Sequence, residues 1–240
     1  MRRAARILGT LLLAAGVLAL VWAFVVWRWQ DPFTAIYTHI QQSRLESAYK
    51  KQAEAFRATV LPKLSTPSAG KPTAASIATT QRNLAAAAAA YAKTLKEGDP
   101  VGKITIGRIG LSMVVVQGTD EETLKKGPGH YIESGLPGAG RLIYIAGHRT
   151  TYLAPFAHIN DIRVGDYIRL EVPYGTFTYR AVRHWIVPST DLAVLQDHGS
   201  ELLRLQACHP RFFATHRYLV DAKLVAIAPR GGTTITLPGS

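Results

Sequence analysis

The single cysteine, Cys208, is the side chain of this sequence best suited to nucleophilic chemistry. It ends an apolar run at residues 202–207 and is followed at once by His209 and Pro210, so its sulfur is expected at the end of a strand. One cysteine cannot form an intramolecular disulfide, so the thiol is either a small buried hydrophobe or a reactive group. A reactive thiol needs a partner that favours the thiolate and a group that stabilises the developing oxyanion.

His148 is the most suitable base among the eight histidines. It follows the strand-like segment 142–146 and a glycine, so it also stands at a strand end. His209 adjoins the thiol, but neighbours on an extended chain point to opposite sides, which makes His209 a poor partner. The sequence therefore predicts that His148 and Cys208 act together.

Arg217 is the candidate for stabilising negative charge. It lies nine positions beyond the thiol and opens the last long β run. If the strands that hold Cys208 and Arg217 are neighbours, the permanently charged guanidinium can reach an oxyanion or a peptide carbonyl.

Short runs rich in Val, Ile, Thr and Tyr alternate with Gly and Pro beyond position 100, which indicates a closed or sandwich-like all-β domain with short helices. The predicted strands cover residues 103–109, 113–117, 141–146, 167–172, 177–187, 202–207 and 218–227, and the predicted helices cover residues 120–126 and 152–158.

Residues 7–27 predict a single membrane-spanning helix. They form 21 residues without a charge, which is enough to cross about 30 Å of hydrocarbon. Three arginines precede the segment, which predicts a cytoplasmic N-terminus and an extracytoplasmic remainder. A cleaved signal peptide is the alternative, but its apolar region spans only about 7–15 residues and ends at a small-residue site.

Four segments follow from these patterns. Residues 1–29 are the cytoplasmic N-terminus and anchor, and residues 30–98 are a spacer. The spacer is predicted to be helical over residues 33–60, with Asp31 as its cap and Pro32 in its first turn, and again over the alanine-rich residues 81–96. A Pro-containing linker joins the two helices. Residues 99–230 form the catalytic domain, and residues 231–240 form a flexible tail.

The balance of 28 Lys and Arg against 16 Asp and Glu gives a formal charge of +12. Outside a membrane this charge is compatible with anionic lipid headgroups or acidic wall polymers as partners, and equally with a solvated basic surface that has no partner; nucleic acid is not expected. The acidic run at residues 120–122 is explained by the dipole of a helix start, so no metal is predicted, and no cofactor is expected.

Taken together, Gly147-His148-Arg149, then Leu205-x-x-Cys208-His-Pro, then Arg217 resemble the sortases, most closely class E, the housekeeping-type group of actinobacteria. The sequences at 29–33, 127–131 and 136–138 (WQDPF, GPGHY and LPG) extend the resemblance over nearly the whole chain except the spacer.

The resemblance implies an eight-stranded sortase-type β-barrel and a cysteine transpeptidase without cofactors. Cys208 would cleave an LAXTG- or LPXTG-like signal on secreted proteins, with hydrolysis as a side reaction. His148 would transfer protons, and Arg217 would hold the oxyanion or the substrate backbone. A peptidoglycan precursor or another amine would accept the acyl group. Tyr131 would contact the residue after the first Leu, and Ala207 and His209, which flank the thiol, are also expected to contact substrate.

The sequence departs from the family before the thiol. Sortases usually read Thr-Leu-x-Thr-Cys, whereas this chain has Arg204 in place of the first Thr and Ala207 in place of the second. A pilin-polymerising sortase and an inactive wall- or protein-binding module of the same fold therefore stay open as alternatives. An L,D-transpeptidase fits poorly, because its Ser-x-Gly before Cys and its Arg two residues later are absent.

Overall fold

The structure, a computed structural model, describes residues 2–29, 32–60 and 73–237. Helix α1 (Arg2–Trp29) is the predicted membrane-spanning segment. It is long and apolar enough to cross a membrane, and none of its apolar window is buried against the rest of the chain. Leucines such as Leu13 and Leu20 are 71% and 73% exposed, which suits a helix whose surroundings are lipid rather than water. This helix can therefore serve as a membrane anchor.

In the described part of the chain, nine strands form one mixed sheet. Their bounds are β1 (Pro100–Ile106), β2 (Leu111–Gln117), β3 (Gly129–His130), β4 (Leu142–Ala146), β5 (Tyr167–Val172), β6 (Gly175–Pro188), β7 (Leu202–His209), β8 (His216–Pro229) and β9 (Ile235–Thr236). The strand order is β6-β5-β1-β2-β3-β4-β7-β8-β9. Because β8 also pairs with β6, the first eight strands close into a barrel, and the prediction of an eight-stranded β-barrel is confirmed.

Two strand pairs are parallel, β2 with β3 and β4 with β7, and all other pairs are antiparallel. The parallel β4–β7 pair sets the geometry of the site, because the carboxyl ends of parallel neighbours meet at the same edge of a sheet. The antiparallel strand β8 begins at that edge, where His216 pairs with His209 at the end of β7. We call this edge of the barrel the thiol end.

The prediction of a helix at residues 152–158 is wrong. Tyr152, Leu153 and Ala154 have φ angles of 54°, 57° and 38°, and the segment consists of turns followed by one 3-10 turn at Ile159–Asp161. Pro155 disfavours helical backbone at the residue before it, which helps to explain the break. The other short helix is present as α4 (Glu121–Leu124).

The described part of the predicted spacer, residues 32–60 and 73–98, contains two helices that pack on the barrel. They are α2 (Pro32–Thr59) and α3 (Ala74–Ala92). Phe56 of α2 and Tyr91 of α3 meet with ring centroids 5.0 Å apart and belong to the same buried cluster as the barrel interior. The Tyr91 hydroxyl also donates to the carbonyl of Val101 in β1 at 3.1 Å. The predicted cap Asp31 and the linker at residues 61–72 lie outside the described residues.

Part of the predicted flexible tail is ordered. Strand β9 pairs with β8, and Ile235 is buried against it. The amide of Leu237 donates to the carbonyl of Val225 at 2.9 Å, so the chain follows the barrel as far as residue 237.

Candidate active site

The parallel pairing of β4 with β7 brings the predicted histidine and cysteine together. Ala146 pairs with Gln206, and the amide of Gly147 donates to the Gln206 carbonyl at 3.0 Å. His148 and Cys208 each lie two positions beyond this pair. The two side chains therefore start from the adjoining ends of neighbouring strands.

Arg217 lies directly opposite Cys208 on the antiparallel strand β8. Directly opposed residues project from the same face of a sheet, so the guanidinium and the thiol share one face. Nη1 of Arg217 donates to the carbonyls of Ala214 at 2.8 Å and His216 at 3.1 Å, which holds the side chain along the loop between β7 and β8. The structure thus places His148 just beyond β4, Cys208 in β7 and Arg217 in β8, which are three neighbouring strands of the sheet, at the thiol end.

The backbone before His148 requires glycine. A Cβ at Gly147 would lie 2.6 Å from a ring carbon of Phe156, a fully buried core residue. The amide of Phe156 also donates to the carbonyl of His148 at 3.0 Å, which closes the loop after the histidine. The ring of His148 lies against the ring of Tyr152, with centroids 5.2 Å apart. The backbone on both sides of His148 is therefore held against the core by Phe156, and the imidazole packs on Tyr152.

The environment of His148 favours the neutral imidazole. Burial lowers the pKa of His148, the nearby Glu121 opposes this shift, and Lys125 adds to it. Nε2 of His148 is buried and has no hydrogen-bond partner among the described residues. A neutral ring with an unpartnered nitrogen can accept a proton from a thiol and pass it to a leaving group.

We expect His148 to titrate with a pKa below its ordinary value. Histidine NMR over a pH series measures this, and the His148→Gln spectrum identifies the signal by its disappearance. Glu121→Gln should lower the pKa of His148 further, because it removes a negative charge. Lys125→Gln should raise the pKa, because it removes a positive charge. A pKa of His148 at or above the ordinary value would contradict this description of the site. So would a shift of that pKa in the same direction by both variants.

Arg149 joins the histidine loop to the cysteine strand. It is 6% exposed, and its Nη1 donates to the carbonyl of Cys208 at 3.1 Å and to Nδ1 of His209 at 2.9 Å. Its Nη2 donates to Oδ1 of Asn160 at 2.7 Å. In the sequence, Arg149 is only the residue that follows His148 in the motif, and its hydrogen-bond partners become visible only in the fold.

Ala207 and His209, the residues on either side of the thiol, have different surroundings from each other. Ala207 is fully buried in the barrel core, so its side chain faces away from the thiol and cannot contact a substrate on the outer face. His209 is held by Arg149, and burial together with Arg149 and His216 lowers the pKa of His209. Since Nδ1 accepts from Arg149, His209 is neutral in this arrangement.

An apolar strip covers the outer face of the barrel beside the thiol. It runs across β4, β8 and β6 and is bordered by the loop between β6 and β7. Its buried members are Tyr144, Ala146, Val187, Val194 and Leu219, and Leu124, Tyr131, Trp185 and Leu195 pack against them. An extended peptide could therefore lie along this face with one end at Cys208.

Tyr131 is part of this strip, whereas His130 is not. The Tyr131 ring packs edge-on against Tyr144 with centroids 6.2 Å apart, and its hydroxyl donates to Glu133 at 2.9 Å. His130 is buried between Gln117, at 2.8 Å from Nδ1, and the Gly135 carbonyl, at 2.9 Å from Nε2. Burial lowers the pKa of His130 to about 4. His130 is thus a structural histidine.

The unusual Arg204 forms a buried ion pair on the outer face. Arg204 and Asp221 are 3% and 1% exposed, and their two hydrogen bonds measure 2.7 and 3.0 Å. Nη1 of Arg204 donates to the Val194 carbonyl at 2.6 Å, which ties the β6–β7 loop to the barrel. Arg183 also donates to Asp221 at 2.9 Å, and both guanidinium groups lie over the Trp185 ring. Arg204, which replaces the first Thr of the usual motif, therefore holds the β6–β7 loop on the barrel.

The acidic residues 120–122 form the start of α4. Asp120 caps α4 by accepting from the Thr123 amide at 3.0 Å, and Glu121 and Glu122 lie in the first turn. Within residues 2–29, 32–60 and 73–237, no group of three or more His, Cys, Asp or Glu side chains could hold a metal ion.

Comparison with known proteins finds a sortase domain at residues 104–225, a span that contains His148, Cys208 and Arg217. Sortase D of Bacillus subtilis is 35% identical over 132 residues, which cover 53% of this chain and 65% of that protein. Sortase SrtE1 of Streptomyces coelicolor is 27% identical over 155 residues, which cover 57% of this chain and 44% of that protein. This chain therefore matches less than two thirds of the length of either relative.

Among solved structures, sortase E from Streptomyces avermitilis is 30% identical, with a TM-score of 0.52. The match covers 58% of this chain and 97% of that one.

Proposed function

The chain belongs to the sortase family, with similarity to its class E members, and we propose that it is a membrane-anchored cysteine transpeptidase. Its substrates are secreted proteins with an LAXTG- or LPXTG-like sorting signal, and its acceptor is an amine of a cell-wall precursor. The observation that supports this function is the placement of His148, Cys208 and Arg217 at the adjoining ends of the neighbouring strands β4, β7 and β8.

In the first half of the reaction, the sulfur of Cys208 attacks the carbonyl carbon of the Thr in the signal. The thiol proton passes to His148, whose buried Nε2 lacks another partner. Arg217 swings from the loop carbonyls toward the oxygen and stabilises the oxyanion. The C–N bond then breaks, the imidazolium protonates the leaving amine, and a thioester remains on Cys208.

In the second half, the acceptor amine attacks the thioester carbonyl. His148 removes a proton from the incoming amine, the C–S bond breaks, and the sulfur regains that proton. A new amide joins the substrate to the acceptor. When water replaces the amine, the same steps release a free acid, which accounts for hydrolysis as a side reaction.

The apolar strip suits the apolar positions of such a signal. We infer that the signal lies extended along it, and that Tyr131 contacts the residue after the first Leu. The missing hydroxyl at Ala207 does not alter this face, because the methyl group points into the barrel core. Ala207 is therefore excluded from the proposed side-chain contacts.

The membrane arrangement is part of the same proposal. Residues 7–27 lie within α1, and Arg2, Arg3 and Arg6 occupy the first turns of that helix, before the apolar stretch. The positive-inside tendency orients the N-terminus to the cytoplasm, and the barrel is then extracytoplasmic.

The proposal is tested with the full chain in detergent and two fluorogenic peptides that differ only in Ala or Pro after the first Leu. We expect cleavage between Thr and Gly and, with a small amine present, a new amide detected by mass spectrometry. A peptide with the same composition in scrambled order is the control. Cleavage elsewhere would overturn the mechanism. Intact peptides with a labelled thiol would favour the inactive binding module.

A further inference from the structure

We infer that the thiol end of the barrel docks on an anionic phospholipid surface and that the loop between β7 and β8 inserts Phe212 and Phe213 into its interface. This inference rests on the proposed membrane anchor. Phe212 and Phe213 are 68% and 76% exposed, and they lie within a few positions of the thiol. Two adjacent solvent-exposed aromatic rings mark a contact surface rather than a folding element.

The chain itself limits how far the thiol end can be from the membrane. Thr34 is five residues beyond Trp29, the last residue of α1, so the two positions are at most about 18 Å apart. Oγ1 of Thr34 accepts a hydrogen bond from the amide of Tyr152 at 3.0 Å. Because Tyr152 packs on His148, the site is tethered close to the point where the anchor leaves the bilayer.

A short series of contacts continues from Tyr152 to the β7–β8 loop that carries Phe212 and Phe213, which we call the aromatic loop. Arg149, three residues before Tyr152, donates to the carbonyl of Cys208, and Phe212 follows Cys208 by four positions. Helix α2 keeps this end next to the anchor, since Oγ1 of Thr38 donates to the Lys125 carbonyl at 2.8 Å. The opposite end of the barrel is reached only at the end of α2, where Arg57 donates to Pro173 at 3.0 Å.

Other exposed apolar side chains lie in the same segments. Ile36 and Ile40 are 62% and 49% exposed on one face of the first turns of α2, and Leu153 is 40% exposed in the loop after His148. We call Ile36, Ile40, Leu153, Phe212 and Phe213 the apolar patch. A patch next to a membrane anchor is the arrangement expected of a surface that contacts lipid.

The positive charge of the aromatic loop favours an anionic lipid surface over a neutral one. Residues 209–218 contain Arg211, Arg217 and two histidines and no acidic residue. Cations that flank interfacial aromatic side chains are attracted to anionic headgroups. A bilayer that contains phosphatidylglycerol therefore fits this surface better than a neutral one.

The test places a single fluorescent probe on the full chain in vesicles of phosphatidylglycerol and phosphatidylethanolamine. In the Cys208→Ala background, one new cysteine is introduced by Phe213→Cys, by Leu18→Cys in α1, or by Thr233→Cys in the exposed connection between β8 and β9, at the opposite end of the barrel. Lipids brominated at shallow or deep acyl positions then quench probes that lie in the bilayer. We expect the probe at 213 to be quenched more by shallow bromines, since interfacial side chains penetrate only about 5–10 Å. The probe at 18 should be quenched more by deep bromines, and the probe at 233 should not be quenched.

Quenching at 18 but not at 213 would overturn the docking inference and leave the anchor intact. Quenching at neither position would overturn both. A blue shift at 213 without quenching would show a protein contact, which also overturns the inference.

A second measurement uses the active chain. Phe212→Ser/Phe213→Ser should leave cleavage of a soluble peptide unchanged and reduce cleavage of the same peptide held on vesicles by a lipid several-fold. An equal loss on both substrates would assign the pair to the reaction and overturn the membrane role. Cleavage of the soluble peptide by the parent chain tests the proposed function separately.

Discussion

Cys208→Ala abolishes turnover of the sorting peptide, with a fall in kcat/KM of at least about 1,000-fold, because the covalent route has no other nucleophile. Cys208 is the single cysteine of the chain, so no second thiol can take its place. Its side chain is partly exposed at the end of β7, whereas Ala207 beside it is fully buried, so the substitution removes the sulfur from the outer face without opening the core. Fluorogenic cleavage by the full chain, with parent and variant compared at equal folded concentration, measures the loss.

A thiol-reactive probe supplies the control for this result. The parent should be labelled and the Cys208→Ala variant should not, since the reagent has only one target. His148→Gln should alter the pH dependence of labelling, because the imidazole that accepts the thiol proton is gone. Turnover by Cys208→Ala at the parental rate would show that the nucleophile has been assigned wrongly.

The barrel could be predicted from the sequence because its long strands are runs rich in Val, Ile, Thr and Tyr that are bounded by Gly and Pro. Strand β3 was missed, since two residues are too few to form such a run. The turn at residues 152–154 was missed because three left-handed residues in succession have no simple sequence signature. Helices α2 and α3 were recognised as helices, but their packing was not, because an alanine-rich face gives little indication of what it contacts.

The chemical residues of the site could be proposed because each stands at the end of an apolar run. The side chains that hold these residues in place depend on strand register for their contacts, and a single sequence does not show the register. Arg149 reaches Cys208 across the β4–β7 pair, and Arg204 meets Asp221 across the β7–β8 pair. Buried arginines of this kind look like surface charges in the sequence. The replacement of Thr by Arg204 was visible in the sequence, but its buried ion pair with Asp221 was not.

Asp221→Leu is expected to lower the free energy of unfolding by about 3–5 kcal/mol, because it leaves the buried guanidinium of Arg204 without its counter-ion. Burial by itself raises the pKa of Asp221, but hydrogen bonds from Arg204 and Arg183 outweigh that effect and lower the pKa. The stabilisation from the ionised pair is therefore present at neutral pH and is lost as the pH falls through the lowered pKa. Urea titration of the full chain in detergent, followed by fluorescence, measures the change.

A rescue variant and a matched control decide between loss of a charge pair and simple loss of packing. Arg204→Met added to Asp221→Leu should restore most of the free energy of unfolding, since two apolar side chains replace two buried charges. Arg183→Met should cost less than about 1 kcal/mol, because the Arg183 side chain is 58% exposed and its loss leaves Asp221 paired with Arg204. If the double variant were as unstable as Asp221→Leu alone, packing around Trp185 rather than the ion pair would hold the β6–β7 loop in place.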